Sequence, residues 1–155
     1  MSLEADIELL RGIPFFEGFS NEHLRLIAFS AESRSLPEKL LLYDEGQLLH
    51  SAYVVASGAM RAERRGKNGA ETTKREIGPG VILGERALIL DKRATEAVRV
   101  ESRSRVLQIR KAMFRRMLQE YPEIALTLRA RMMRQVMQAS AEFNAVAQRL
   151  AAMGG

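Results

Sequence analysis

The residues best suited to chemistry lie between Ile77 and Thr95, where a Gly-Pro-Gly turn is followed by a Gly-Glu pair and then by an arginine. Gly84 and Glu85 open a short apolar helix, and a helix start presents backbone N–H groups and a partial positive charge, which favour an anion. The Glu85 carboxylate can accept hydroxyl hydrogen bonds, and the Arg93 guanidinium can bind a pair of anionic oxygens. The segment therefore predicts a site for a small ligand that carries one phosphate and one sugar hydroxyl.

Short strands separated by turns must position this segment. Polar and apolar residues alternate along several of them, and Asn68-Gly69 between two strands is a strong hairpin signal. Many short strands at this spacing favour a mainly β domain with helices (α+β), built as an antiparallel double-stranded jelly-roll barrel that limits exposed edges by doubling the sheet. The predicted strands are 33–36, 39–43, 51–57, 59–65, 71–77, 81–83, 95–101 and 104–110.

Helices are predicted on both sides of the strands. Apolar residues at helical spacing indicate a helix over 3–12, and Ser20 is placed to cap a second helix that continues to residue 30. After the strands, residues 112–120 form a short helix that ends at Tyr121-Pro122. Pro122 then begins a long helix that reaches about residue 153, because proline is tolerated in the first turn of a helix.

The long helix carries apolar residues at spacings that alternate between four and three. This pattern is typical of a coiled coil and predicts a homodimer. A helix of about 30 residues spans some 45 Å and exceeds a small domain, which favours dimerisation over packing of this face on the strands. The predicted seam residues are Met132, Val136, Ala139, Phe143, Val146, Leu150 and Met153.

Five motifs follow one another along the chain: Ile13-Pro14-Phe15-Phe16 with the helix after Ser20, Asp44-Glu45-Gly46, Tyr53 to Gly58, the turn and Gly-Glu pair of 77–85, and Val106 to Ile109. In this order they resemble the cyclic-nucleotide-binding domains of catabolite-activator (Crp/Fnr-type) regulators and kinase regulatory subunits. The resemblance covers nearly the whole chain. It implies the jelly-roll fold, a cyclic nucleotide as ligand, and a long helix that forms a lid and a dimer contact.

The resemblance also implies roles for individual residues. Glu85 would accept a hydrogen bond from the ribose 2′-hydroxyl, and the backbone N–H groups of Arg86 and Ala87 would face the cyclic phosphate. Arg131 or Met132 would touch the base from the long helix. The implied ligand-binding residues are Gly84, Glu85, Arg86, Ala87, Arg93, Ala94 and Thr95.

The position of Arg93 departs from the family pattern, which reads arginine, any residue, alanine, threonine or serine, and then the valine of the next strand. Counted back from Val98, Arg93 stands one position too early. If Val98 sets the register, Ala94 takes the place of the arginine and Glu96 that of the alanine. Arg93 would then point away from the pocket, because a one-residue shift turns a side chain to the opposite face of a strand. A β-bulge at Thr95 or Glu96 would instead absorb the extra residue and return Arg93 to the pocket. The sequence leaves both arrangements open.

Composition narrows the classes of function. The chain of 155 residues suffices for one domain, with residues 1–120 as the jelly roll and N-terminal helices and residues 121–155 as a long helix of the same domain. The absence of cysteine excludes disulfides, thiolate catalysis and cysteine-ligated metal clusters, and two histidines do not favour a multi-histidine metal site. Since the sequence motifs of hydrolases, metalloproteases and P-loop enzymes are missing, we expect neither an enzyme nor a metal or cofactor.

The chain is also expected to be cytoplasmic and to have no membrane partner, because no apolar run approaches membrane-spanning length and the N-terminus lacks a signal-peptide core. The net charge of +5 predicts a mostly solvated basic surface. Binding of nucleic acid through the arginines of the long helix is a weaker hypothesis. Because nothing follows the long helix, direct DNA binding of the family's helix-turn-helix kind is not expected. The output would then lie in a separate protein or in a domain missing from this chain.

One leading function and two alternatives follow. The first is a regulatory module that binds cAMP or cGMP and transmits binding to its C-terminal helix. The alternatives are a degenerate relative that binds no nucleotide and serves for dimerisation or partner docking, and the sensor half of a transcription regulator.

Overall fold

The computed structural model describes residues 2–66 and 72–153. The elements follow in chain order: α1 Leu3–Arg11, a 3-10 turn Pro14–Phe16, α2 Asn21–Ser30, β1 Glu32–Leu36, β2 Leu41–Tyr43, β3 Ser51–Arg65, β4 Thr72–Ile77, β5 Ile82–Leu83, a 3-10 helix Glu85–Leu88, β6 Ala97–Arg110, α3 Lys111–Glu120 and α4 Pro122–Met153. The predicted Asn68-Gly69 turn lies outside the described residues.

The six strands form one antiparallel sheet around two long strands, β3 and β6, which pair with each other. β1 and β2 pair with β6, while β4 and β5 pair with β3. Helices flank this sheet on both sides in sequence. The predicted α+β class with an antiparallel jelly-roll sheet is therefore confirmed.

Two predicted strand breaks are wrong. Residues 51–57 and 59–65 form the single strand β3, and the later pair of predicted strands forms the single strand β6. The pairing shifts register between Val55 and Met60, so β3 bends without ending. Gly58 permits this bend, since its backbone has a φ of +94° and a Cβ atom there would lie 2.2 Å from the Ser104 hydroxyl oxygen.

Residues such as Val54 and Leu107 are buried on one face of the two long strands, and a core cluster lies on their other face. Cross-strand partners such as Met60 and Ile77, or Ala62 and Val98, are both buried in it. Outside the sheet, the helix starts agree with the sequence: the Ser20 hydroxyl accepts a hydrogen bond from the His23 N–H at 3.1 Å, as expected of an N-cap.

The chain divides into two compact units, Met1–Met117 and Leu118–Gly155. The first contains the whole sheet. The second contains α4, which begins at Pro122 as predicted. The proposed grouping of both parts into one domain stays a prediction. Among the described residues, no helix is both long and apolar enough to cross a membrane.

Candidate functional site: a charged cavity beside the 3-10 helix

A cavity of about 330 Å³ opens in the first unit, beside the 3-10 helix. Two chain segments form most of its wall, Ile82–Ala87 and Lys92–Glu96. Tyr43, Leu49 and Arg75 complete it. All seven residues that the sequence nominated for ligand binding border this cavity, although they come from two separate segments. That they bind a ligand stays a prediction.

Gly84 directs the chain into the 3-10 helix. Its φ is +74°, and a Cβ atom there would lie 3.2 Å from the carbonyl oxygen of Ser51. A side chain at this position would therefore strain the backbone and crowd β3. Only glycine fits here without distortion.

The groups just after Gly84 differ in whether they already have a hydrogen-bond partner within the protein. The Ala87 N–H donates to the Gly84 carbonyl oxygen at 3.0 Å, so a phosphate would have to share this amide. The Glu85 side chain is half-buried, and no hydrogen bond or ion pair of its carboxylate is recorded within 2–66 and 72–153. Glu85 is therefore a carboxylate that borders the cavity and can accept hydrogen bonds from a ligand.

The structure shows how the segment of Arg93 is held. Its backbone forms an antiparallel bridge with Leu48, the adjacent Ala94 is buried in the core, and Thr95 and Glu96 form a bend before β6 begins. Since all four residues of this run border the cavity, the choice between the two predicted arrangements stays a prediction. Arg93 lines the cavity, but its Nη1 donates to the Gly46 carbonyl oxygen at 3.0 Å. One nitrogen of the arginine that was expected to bind the phosphate is thus bound to the protein's own backbone.

Sequence reasoning missed Arg75 as a residue of this site. Arg75 lies on β4 two residues before Ile77, and side chains two apart on a strand share a face. Since Ile77 is buried in the core, Arg75 extends from the same inner face, and it lines the cavity. The alternation of this strand was the available signal. Its Nη2 lies 3.1 Å from Oε1 of Glu96, another wall residue.

Tyr43 was missed as well. Burial raises the pKa of its hydroxyl well above the ordinary value. The charges of Glu96 and Glu85 raise the pKa further, while the charge of Arg75 opposes them. The ring also stacks on Tyr53, with centroids 6.3 Å apart. Tyr43 thus adds a protonated hydroxyl, which can donate a hydrogen bond, to the residues that border the cavity.

The remaining nominated residues lie on α4, in the second unit. Of the two predicted base contacts, Arg131 is half-buried and Met132 is exposed, and their contact with a base stays a prediction. Along the predicted seam, Met132, Ala139, Val146 and Leu150 are exposed. The structure does not describe the side chains of Val136, Phe143 and Met153.

Comparison with known proteins bears on this fold and cavity. The family model described as cyclic nucleotide-binding domain matches residues 33–121, which include every wall residue of the cavity. The Cyclic AMP receptor protein of Thermus thermophilus is 29% identical over 136 residues, which make up 87% of this chain and 62% of that protein. The chain thus spans less than two thirds of the length of this relative.

Two solved structures are also similar. A cyclic nucleotide-binding-like protein from Brucella abortus is 36% identical, with a TM-score of 0.66, and the match covers 74% of this chain and 97% of that one. The N-terminal domain of a transcriptional regulator from Streptomyces coelicolor has a TM-score of 0.79 at 21% identity, covering 87% of this chain and 94% of that one. The second likeness establishes the fold alone.

Proposed function

Because this chain belongs to the cyclic nucleotide-binding domain family, we propose that it is a regulatory sensor whose cavity binds cAMP or cGMP and whose α4 responds to that binding. The observation that carries the proposal is the family match across 33–121, which includes the whole cavity wall. A relative whose name is Cyclic AMP receptor protein supports the same ligand class.

The charges of the wall suit a ligand with one negative charge. Among the described residues that line the cavity, four are basic and two are acidic: Arg75, Arg86, Lys92 and Arg93 against Glu85 and Glu96. The excess of positive charge attracts a monoanion such as a cyclic phosphate. Glu85 would then accept a hydrogen bond from the ribose, and Gly84 would let the backbone approach the phosphate closely.

Transmission needs a physical link between the cavity and the C-terminal helices. Lys111, the first residue of α3, donates from Nζ to the Leu90 carbonyl oxygen at 3.2 Å and also to the Asp91 carboxylate. Leu90 and Asp91 immediately precede the second wall segment. A ligand that shifts this segment would therefore also displace the start of α3 through these two contacts. The ligand would change the populations of the helix positions only if it binds the protein more tightly with the helix in one position than in another.

The test is calorimetric titration and thermal shift with cAMP and with cGMP. We expect saturable binding of at least one nucleotide and a higher unfolding temperature in its presence. The variant Glu85→Gln should bind about ten-fold more weakly, because it loses the charged acceptor for a hydroxyl. Glu63→Gln, on the opposite face of β3 from the buried Ala62, is the matched control and should bind as the unchanged protein does. Absence of heat and of thermal shift at millimolar concentrations of both nucleotides would reject the proposal.

A second function, pairing of two copies of this chain through α4, is favoured by the exposed apolar side chains at the predicted coiled-coil positions. It is compatible with the first function and would survive its failure. If the chain is the sensor half of a longer transcription regulator, both functions would serve that regulator.

A further inference from the structure

Three arginines border the cavity, and two of them, Arg75 and Arg93, have partners of different kinds. Backbone hydrogen bonds hold the residues on both sides of Arg93. The Leu49 N–H donates to Lys92 O at 3.0 Å, and the Ala94 N–H donates to Gln47 O at 2.8 Å. The Arg93 guanidinium donates to the backbone carbonyl oxygen of Gly46. Gly46 is exposed, so water can replace the guanidinium at this carbonyl, and Arg93 stays available to an anion.

Arg75 stands on the inner face of the sheet. Its cross-strand partner is Ala62, which is fully buried, and the next inward pair along the two strands is Met60 with Ile77. Directly opposed residues of antiparallel strands share a face. The Arg75 side chain therefore starts from the core face and reaches the cavity wall, where its outer half remains open to solvent.

The partner of Arg75 is an oxyanion. Glu96 is half-buried and is bound to Arg75 through one oxygen, Oε1. Half-exposed ion pairs of this kind are weak because both charges are partly solvated. A guanidinium also binds phosphate and carboxylate with the same planar fork of donors. A phosphate can thus replace Glu96 on Arg75 without leaving a donor unsatisfied.

We propose that Arg75 supplies a second guanidinium to the phosphate of the nucleotide, in addition to Arg93, and that Glu96 competes with the phosphate for Arg75. The inference rests on the proposed function, which it deepens by assigning a second anion contact to β4. It also accounts for the glutamate: Glu96 keeps the guanidinium at the wall and lowers the affinity for the anion.

Calorimetric titration with cAMP and cGMP of three single variants and one double variant tests this assignment. Arg75→Gln should weaken binding by about 10- to 100-fold, the loss typical of a charge-assisted contact. Arg93→Gln should also weaken binding, by about ten-fold or more, because it removes the other guanidinium. Glu96→Gln should strengthen binding by about two- to ten-fold, because the competitor is gone. The double variant Arg75→Gln with Glu96→Gln should stay at least about ten-fold weaker than Glu96→Gln alone.

Arg61→Gln is the matched control. Arg61 is also a strand arginine in an ion pair, with Glu76 at 3.2 Å, but it does not line this cavity, so its removal should leave the affinity unchanged. Thermal unfolding of every variant verifies that it is folded.

Each alternative outcome is distinct. If the unchanged protein binds and Arg75→Gln binds equally well, the inference fails while the proposed function stands. If the double variant regains the affinity of Glu96→Gln, Arg75 merely neutralises Glu96 and touches no ligand. A loss confined to one of the two nucleotides would mean that Arg75 contacts the base, which overturns the phosphate assignment. If the unchanged protein binds neither nucleotide, both the function and the inference fall.

Discussion

Gly58 lies in the middle of the longest strand at a point where only glycine is compatible with the structure. Its φ is +94°, and a Cβ atom would lie 2.6 Å from the Ser104 Cα and 2.7 Å from the Arg103 carbonyl oxygen. Both are backbone atoms of β6, so no rotamer change can relieve the contact. The two halves of β3 can form one strand only because this residue lacks a side chain.

We therefore expect Gly58→Ala to lower the free energy of unfolding by more than about 3 kcal/mol, as measured by chemical denaturation. Gly80→Ala is the matched control, because Gly80 has a similar φ of +89° and nothing within 4 Å of the added atom. It should lose only the backbone penalty of about 1–2 kcal/mol. Equal losses for the two variants would show that the approach of β3 to β6 is not tight.

At the scale of elements, the start of α3 is fastened to the loop that follows the 3-10 helix. The hydrogen bond from Lys111, and then the charge of Lys111, hold the pKa of Asp91 below its ordinary value of 3.8. The Lys111 side chain is itself largely buried. This contact joins the cavity wall to the first turn of a helix, which is why the proposed transmission depends on it.

The contact should make stability depend on pH in a defined direction. Because the pKa of Asp91 is lower in the folded state, the stabilisation is present above the ordinary value of 3.8 and is lost as the pH falls below it. Asp91→Asn should therefore lower the midpoint temperature of unfolding at neutral pH. The difference in midpoint temperature between the variant and the unchanged protein should narrow between about pH 5 and about pH 3.

Glu4→Gln is the comparison for Asp91→Asn, since Glu4 forms an exposed ion pair with Arg25 between α1 and α2. It should change the midpoint less at neutral pH. A midpoint difference for Asp91→Asn that is constant through the acid range would exclude the carboxylate as its cause.

In the second unit of the molecule, the C-terminal half of α4 exposes apolar side chains among the described residues. Val146 is 54% exposed and Leu150 is 64% exposed, on the face that the heptad pattern assigns to a seam. A second copy of the same helix would bury both, and the matching repeat makes the face self-complementary.

We expect light scattering to give the mass of two chains of 17.4 kDa at micromolar concentration, with no nucleotide required. Val146→Glu places a charge in the seam and should yield a monomer, because burying an unpaired carboxylate is unfavourable. Ala141→Glu adds the same charge on the opposite side of the heptad and should remain dimeric. A monomeric unchanged protein, or dissociation by Ala141→Glu alone, would contradict a dimer seam on this face.

Local features of the chain were predictable because they depend on neighbouring residues. Ser20 capped the helix that it was expected to cap, and Pro122 began the long helix. The prediction failed at Gly58, where a glycine that looks like a turn in sequence permits a bend within one strand. A local pattern does not distinguish a turn between two strands from a bend within one strand, because the difference lies in whether a distant strand continues to pair across the bend.

The order of motifs by itself determined the family and the α+β class, since both follow from local patterns read in sequence. It also identified the two segments that border the cavity. Which arginine meets which oxygen depends on the folding of distant segments onto each other: Arg93 binds the carbonyl oxygen of Gly46, and Arg75 pairs with Glu96. These partners are far apart in the chain and meet only because strand register brings their faces together. Thr95 and Glu96 form a bend and both border the cavity beside Arg93, so the alternation expected of a strand does not predict the lining.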